Sequence, residues 1–185
     1  FIYFPNGEHY RTLRLQARAS SEGEMGIAVN DEGLIQILDA GEGRVFLFNS
    51  RLRPMQSWKP AANAPNMRIR AQALASDSDG YLYIVADQRI LRFTPRGDFV
   101  AQVATSADPL SDEVAVSHEL IFAMGADGRM LHVWSTDGEA KLNIDLSPEL
   151  GQGSRQAPAL AVSPQKELLV LDAPEGRVLR YRINF

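Results

Sequence analysis

Short apolar runs, cut every few residues by Gly, Pro, Asp or Asn, fill this chain: "LIQIL", "RVFLF", "YLYIVA", "LIFAM" and "ELLVL" are examples. Runs this short, rich in Val, Ile, Leu, Tyr and Phe and bounded by turn formers, predict β-strands joined by tight turns. A helix would need apolar positions three and four residues apart across ten or more residues free of breakers, and no stretch offers that convincingly. The pattern therefore predicts an all-β chain of many short antiparallel strands.

The strands come in a repeating order. "DAGEGRVFLF" at 39–48 returns as "DAPEGRVLRY" at 172–181. A catalytic motif normally occurs once, so the recurrence predicts an architectural unit. Aligning on it gives four units, at 25–58, 71–103, 112–144 and 157–185. Each has a small-residue strand ("IAV", "ALA", "VAV" or "LAV"), a polar turn, an apolar strand, a Gly or Asp turn, and then Arg leading an apolar run to an aromatic. Those aromatics are Phe48, Phe93, Trp134 and Tyr181, spaced by 45, 41 and 47 residues. All-β repeats of this length predict propeller blades. An innermost strand beside the central axis has room only for small side chains, whereas outer strands fill wider gaps and take large ones. A parallel β-helix would need shorter coils, and a sandwich would need no such period. In the third unit Arg129 stands five residues before its aromatic, against four elsewhere, so an extra residue or a bulge is expected in that turn.

"GIAVNDEGLIQILDAGEGRVFLF" and "LAVSPQKELLVLDAPEGRVLRY" resemble NHL-repeat β-propellers, and the likeness covers nearly the whole chain. It implies a single β-propeller domain over 1–185, made of about four NHL-like four-stranded blades, with protein interaction as its default role. The opening "FIYFPNGEHYRTLRLQ", residues 1–16, matches the last half of a unit, and the chain stops after a third strand. Two arrangements answer to this. Residues 8–16 would complete the last blade and close the ring, or the chain is a segment of a six-bladed propeller, the commonest form of the resembled family. The start at Phe1 rather than Met is that expected of a processed or partial chain.

Composition narrows the partners. At 185 residues and 45% hydrophobic, the chain can bury one sizeable core. A formal charge of -4 supplies no field for nucleic acid, which is excluded as a general partner. No apolar run approaches the ~20 residues of a membrane span, so direct membrane insertion is not expected. The absence of cysteine excludes disulfides, thiolate metal sites and a cysteine nucleophile. It suits a cytoplasmic or an extracytoplasmic address alike; a periplasmic or secreted one is the expectation.

Candidate chemistry is sparse. Asp39 with Arg44, Asp87 with Arg89, Asp127 with Arg129 and Asp172 with Arg177 recur unit by unit, which marks them as structural: a turn carboxylate accepting main-chain N–H groups, and an Arg bridging strands. "DSDG" at 77–80 lacks the downstream ligands of a calcium loop and shares its slot with "NDEG" at 30–33, so it is expected to be a turn. His9, His118 and His132 occupy different places in their units and are not expected to converge on a metal. "GQGS" at 151–154 lacks the strand before and the Lys after that a phosphate loop needs. No catalytic residue, metal or cofactor is therefore assigned.

The connections at 59–72, 104–112 and 147–158 differ from one another while the units around them repeat, and specificity is commonly carried on such loops. Met67, Arg68, Arg70 and Arg155 are the candidate protein-binding residues, with an apolar and cationic mixture suited to interface anchors. Trp58 is expected to be core. The expected function is a non-enzymatic protein-binding or scaffolding propeller, an accessory subunit of a membrane-associated or extracytoplasmic complex. The alternative is a metal-dependent enzyme similar to propeller lactonases and lyases, acting on a small molecule.

Overall fold

The computed structural model describes residues 2–3, 6–11, 25–64, 67–117, 119–150, 158–163 and 167–183. It opens with a hairpin of β1 (Ile2–Tyr3) and β2 (His9–Arg11). Blade 1 follows, with β3 (Met25–Val29), β4 (Ile35–Asp39), β5 (Arg44–Phe48) and β6 (Pro54–Trp58). After one helical turn, α1 (Pro60–Asn63), comes blade 2, with β7 (Ala71–Ser76), β8 (Leu82–Ala86), β9 (Arg89–Phe93) and β10 (Phe99–Thr105). Blade 3 holds β11 (Leu110–Ser117), β12 (Leu120–Gly125), β13 (Met130–Ser135) and β14 (Ala140–Asp145). Blade 4 holds β15 (Ala159–Val162), β16 (Glu167–Asp172) and β17 (Arg177–Arg182).

Within each blade the strands pair antiparallel in chain order. The innermost strands touch in succession, β3 with β7, β7 with β11 and β11 with β15. The chain is thus a four-bladed β-propeller, all-β apart from α1, as the repeat period implied.

Its core lies between blades rather than in one mass. Leu38, Val45 and Trp58 of blade 1 meet Leu74, Ile84, Leu91 and Phe93 of blade 2. Tyr83, Val85 and Ile90 meet Ile121, Ala123 and Trp134 of blade 3, and Phe122, Met124 and Leu131 meet Leu168 and Val170 of blade 4. A strand covered on both faces needs no polar alternation, which is why β8, "LYIVA", is apolar and buried at every position. The outermost β6 is exposed from Pro54 to Ser57 and buries only Trp58. That indole lies 5.1 Å from the Phe93 ring, centroid to centroid. It packs so close to the β9–β10 turn that a Cβ at Gly97, where φ is +92°, would stand 2.4 Å from it.

One expectation lies partly outside the described residues, and another needs correction. Residues 9–11 of the anticipated closing strand pair with β1, Ile2 opposite Arg11 and Tyr3 opposite His9. The last blade has three strands among the described residues. The rest of the anticipated closing strand, residues 12–16, lies outside the described residues. The anticipated bulge in blade 3 is also missing, since β12 and β13 pair without a shift from Leu120–Ser135 to Met124–Leu131. The turn at 126–129 is as long as that at 40–43, and Arg129 simply falls inside it.

Candidate functional site

Antiparallel pairing places the start of each innermost strand beside the end of the second strand: Met25 pairs with Asp39, Ala71 with Ala86, Leu110 with Gly125 and Ala159 with Leu171. The turns after the second strands and the connections arriving from the preceding blade therefore gather at one end. Main-chain bonds tie them together. Ser106 N–H donates to Gln88 O at 2.8 Å, Ala126 N–H to Pro109 O at 2.9 Å and Leu146 N–H to Arg129 O at 2.9 Å.

The Asp and Arg marks lie here, but only two of the four pairs are equivalent. Asp39 pairs with Arg44 across β4–β5, and Asp172 with Arg177 across β16–β17. In blade 2 the Asp position holds Ala86, opposite Arg89, and Asp87 belongs to a two-residue turn at φ +58°. In blade 3 the position holds Gly125, and Asp127 in the turn accepts from the Arg129 and Met130 N–H groups at 2.9 and 3.2 Å. Turn length moved the acid off its register. Asp39 accepts from Glu42 N–H at 2.9 Å, as a turn carboxylate does.

The Arg side chains do more than bridge strands. Arg44 Nη1 donates to Ser57 Oγ at 2.8 Å, which is a strand bridge. Arg89 Nη2 instead donates to the carbonyl of Arg68 at 2.9 Å, in the connection between blades 1 and 2. Arg177 holds Asp172 at 3.0 Å through Nε and donates through Nη2 to the Glu149 carbonyl, in the connection between blades 3 and 4. Tyr181 OH reaches the Glu149 carboxylate, and burial together with that carboxylate pushes the phenol pKa up.

Of the candidate binding residues, Arg68 and Arg70 are exposed, whereas Met67 is half-buried and packs with Ile69 against the core between blades 1 and 2. The expected loop of 59–72 carries α1 and yields its last residues to β7; that of 104–112 shrinks to 106–109, because β10 and β11 extend into it. Arg155 and "GQGS" lie outside the described residues.

At this same end a cavity of about 420 Å³ is lined by the first residues of all four innermost strands, among them Met25, Ile27, Gln72, Asp112, Glu113 and Leu160. Asp112 is exposed, and Glu113 Oε2 accepts from the Leu160 N–H of the next blade at 3.3 Å. Gln72 Oε1 accepts from Asp87 N–H at 2.6 Å. The sequence held a signal for these: "DE" places two adjacent carboxylates just before "VAV", where no other unit has an acid.

The remaining candidates are structural in their contacts. Asp77 of "DSDG" accepts from Tyr81 N–H at 2.9 Å and from Tyr83 OH at 3.0 Å, with Arg92 Nη2 at 3.9 Å. Asn30 of "NDEG" accepts from Leu34 N–H in the same way. The buried Tyr83 phenol is raised in pKa by desolvation and by Asp77. His132 is buried, with Nδ1 2.9 Å from Asn143 Oδ1 and its ring stacked on Trp134; His9 is exposed, and His118 is outside the described residues. Among the described residues no three His, Asp or Glu side chains converge to hold a metal.

No model of a known protein family matches the sequence, and no curated protein matches it. Solved structures do match. Virginiamycin B lyase from Staphylococcus aureus aligns at TM-score 0.61 and 15% identity, over 98% of this chain and 62% of the lyase. Glutaminyl cyclase from Myxococcus xanthus aligns at 0.60 and 16%, over 86% of this chain and 73% of that one. A chain of the nidogen–laminin complex aligns at 0.63 and 14%, over 96% and 69%. The chain spans about three-fifths of the lyase's length. At these identities the likeness shows the propeller fold, which serves enzymes and protein-binding scaffolds alike.

Proposed function

We propose that this chain is a non-enzymatic, NHL-type propeller that binds a protein through the end where its innermost strands begin. One observation carries the reading: the unrepeated connections, the exposed Arg68 and Arg70 and the mouth of the cavity all lie at that end, while the repeated Arg89 clamps the Arg68 main chain. A loop held by its backbone presents its side chains at low entropic cost, which favours recognition. Arg68 and Arg70 suit an acidic rim on the partner. A small-molecule enzyme with a metal at the mouth is less well supported, because among the described residues Asp112 and Glu113 are two carboxylates without a third ligand and Glu113 already bridges blades 3 and 4.

Site-specific photo-crosslinking in the native source tests this. A crosslinker at residue 68 or 70 should trap one protein, and one at Glu32, in a turn at the opposite end of β3, should not. Equal trapping from both ends, or none from 68 and 70, overturns the reading.

A further inference from the structure

Blade 3 departs from the other blades at two neighbouring positions. Its second strand ends on Gly125, where blades 1, 2 and 4 have Asp39, Ala86 and Asp172. On its third strand His132 pairs with Ala123, at the position held by Phe46 opposite Ile37, Leu91 opposite Ile84 and Leu179 opposite Val170. An imidazole thus stands where every other blade has an apolar side chain.

His132 is 7% exposed, with Nδ1 2.9 Å from Asn143 Oδ1 and, among the described residues, no partner for Nε2. A carboxamide oxygen only accepts, so in the neutral ring Nδ1 carries the proton and Nε2 presents a bare lone pair. Burying that lone pair unpaired costs folding free energy that Phe or Leu would not. A buried acceptor kept at such a cost points to a ligand.

Gly125 supplies the room. A Cβ built on it would stand 3.1 Å from Asp127 Oδ1, 3.3 Å from the Met130 carbonyl oxygen and 3.5 Å from His132 Nε2. The three atoms nearest that point are all acceptors, and one belongs to a carboxylate, so the space suits a cation. Mg2+ and Ca2+ favour oxygen alone, whereas imidazole beside oxygen suits the zinc class. A ring whose Nδ1–H is held by an outer acceptor is also how a ligating histidine is oriented.

We propose that the space beside Gly125 takes one divalent first-row transition-metal ion, held by His132 Nε2, the Asp127 carboxylate and the Met130 carbonyl. Water completes the shell, since Asp127 is exposed. The ion fastens the turn at 126–129 to β13, on the face of blade 3 that carries Trp134 into the core shared with blade 2. None of its ligands lines the cavity described above. The site goes beyond the protein-binding reading and does not depend on it.

Calorimetric titration of the metal-free 185-residue chain with Zn2+, read beside ring-nitrogen NMR, tests the proposal. One ion should bind per chain, shift the Nε2 resonance of His132 and raise the melting temperature. Gly125→Ala removes no ligand and needs no left-handed backbone, but its methyl group fills the space. It should abolish binding while keeping the circular dichroism spectrum. Asp127→Asn and His132→Gln should each weaken binding by about tenfold or more. Should His132→Gln fail to fold, the other two variants, which alter no buried side chain, still decide the matter. The proposal is overturned by a chain that takes up no Zn2+, by binding that survives Gly125→Ala, or by a shift confined to His9 or His118.

Discussion

Arg89 Nη2 donates to the main-chain carbonyl of Arg68 at 2.9 Å, so a side chain repeated in blades 1, 2 and 4 holds, in blade 2, a connection that is not repeated. The acceptor is backbone, which separates the two arginines experimentally. Arg89→Ala should raise amide exchange across residues 67–70 and lower stability by roughly 1–2 kcal/mol, the scale of a charge-assisted hydrogen bond with a partly exposed donor. Arg68→Ala keeps the acceptor and should leave both quantities near wild type. Exchange mass spectrometry with thermal melts reads both.

Gly97 and Gly43 both have positive φ, at +92° and +58°, but only Gly97 faces a wall. Gly43→Ala meets nothing within 4 Å and should cost about 1 kcal/mol for the left-handed backbone alone. Gly97→Ala must push aside the Trp58 indole at 2.4 Å, and should cost a further 1–3 kcal/mol or so for overpacking. Urea melts of the two variants, compared side by side, measure that difference.

Tyr83 is buried and donates to Asp77 Oδ2, and its phenol pKa is raised above the ordinary value of 10.0. Below pH 10 the phenol is protonated in folded and unfolded chains alike, and its contribution is fully present. Above it the unfolded chain gives up the proton while the folded chain keeps it, so stability falls as pH rises. Tyr83→Phe should flatten this alkaline decline. At neutral pH it should cost about 1–3 kcal/mol, because the buried Asp77 loses one donor. Denaturation midpoints from pH 7 to 11 check both parts.

The strand order and blade period were legible because apolar spacing and turn residues are local properties of the chain. The register of the acids was not. Asp87 and Asp127 look like Asp39 in the sequence, but a two-residue turn in blade 2 and Gly125 in blade 3 place them in turns instead of on strand ends. Burial was legible only on average. "GRVFLF" and "GRVLRY" repeat the same position with Val45 and Val178, yet one is sealed and the other open, because that difference lies in the neighbouring blade. The cavity was missed because its lining comes from four strands far apart in the chain.

That last contrast gives a direct measurement of what a neighbouring blade contributes. Leu38 and Leu171 are the same residue at the same blade position, the first at 0% exposure and the second at 41%. Leu38→Ala removes a side chain packed against Leu74 and Ile84, leaving a cavity between blades 1 and 2, and should cost about 3–4 kcal/mol. Leu171→Ala should cost about 1 kcal/mol or less, since the truncated atoms already touch water. The gap between the two should show as a shift in guanidinium midpoint with an unchanged slope.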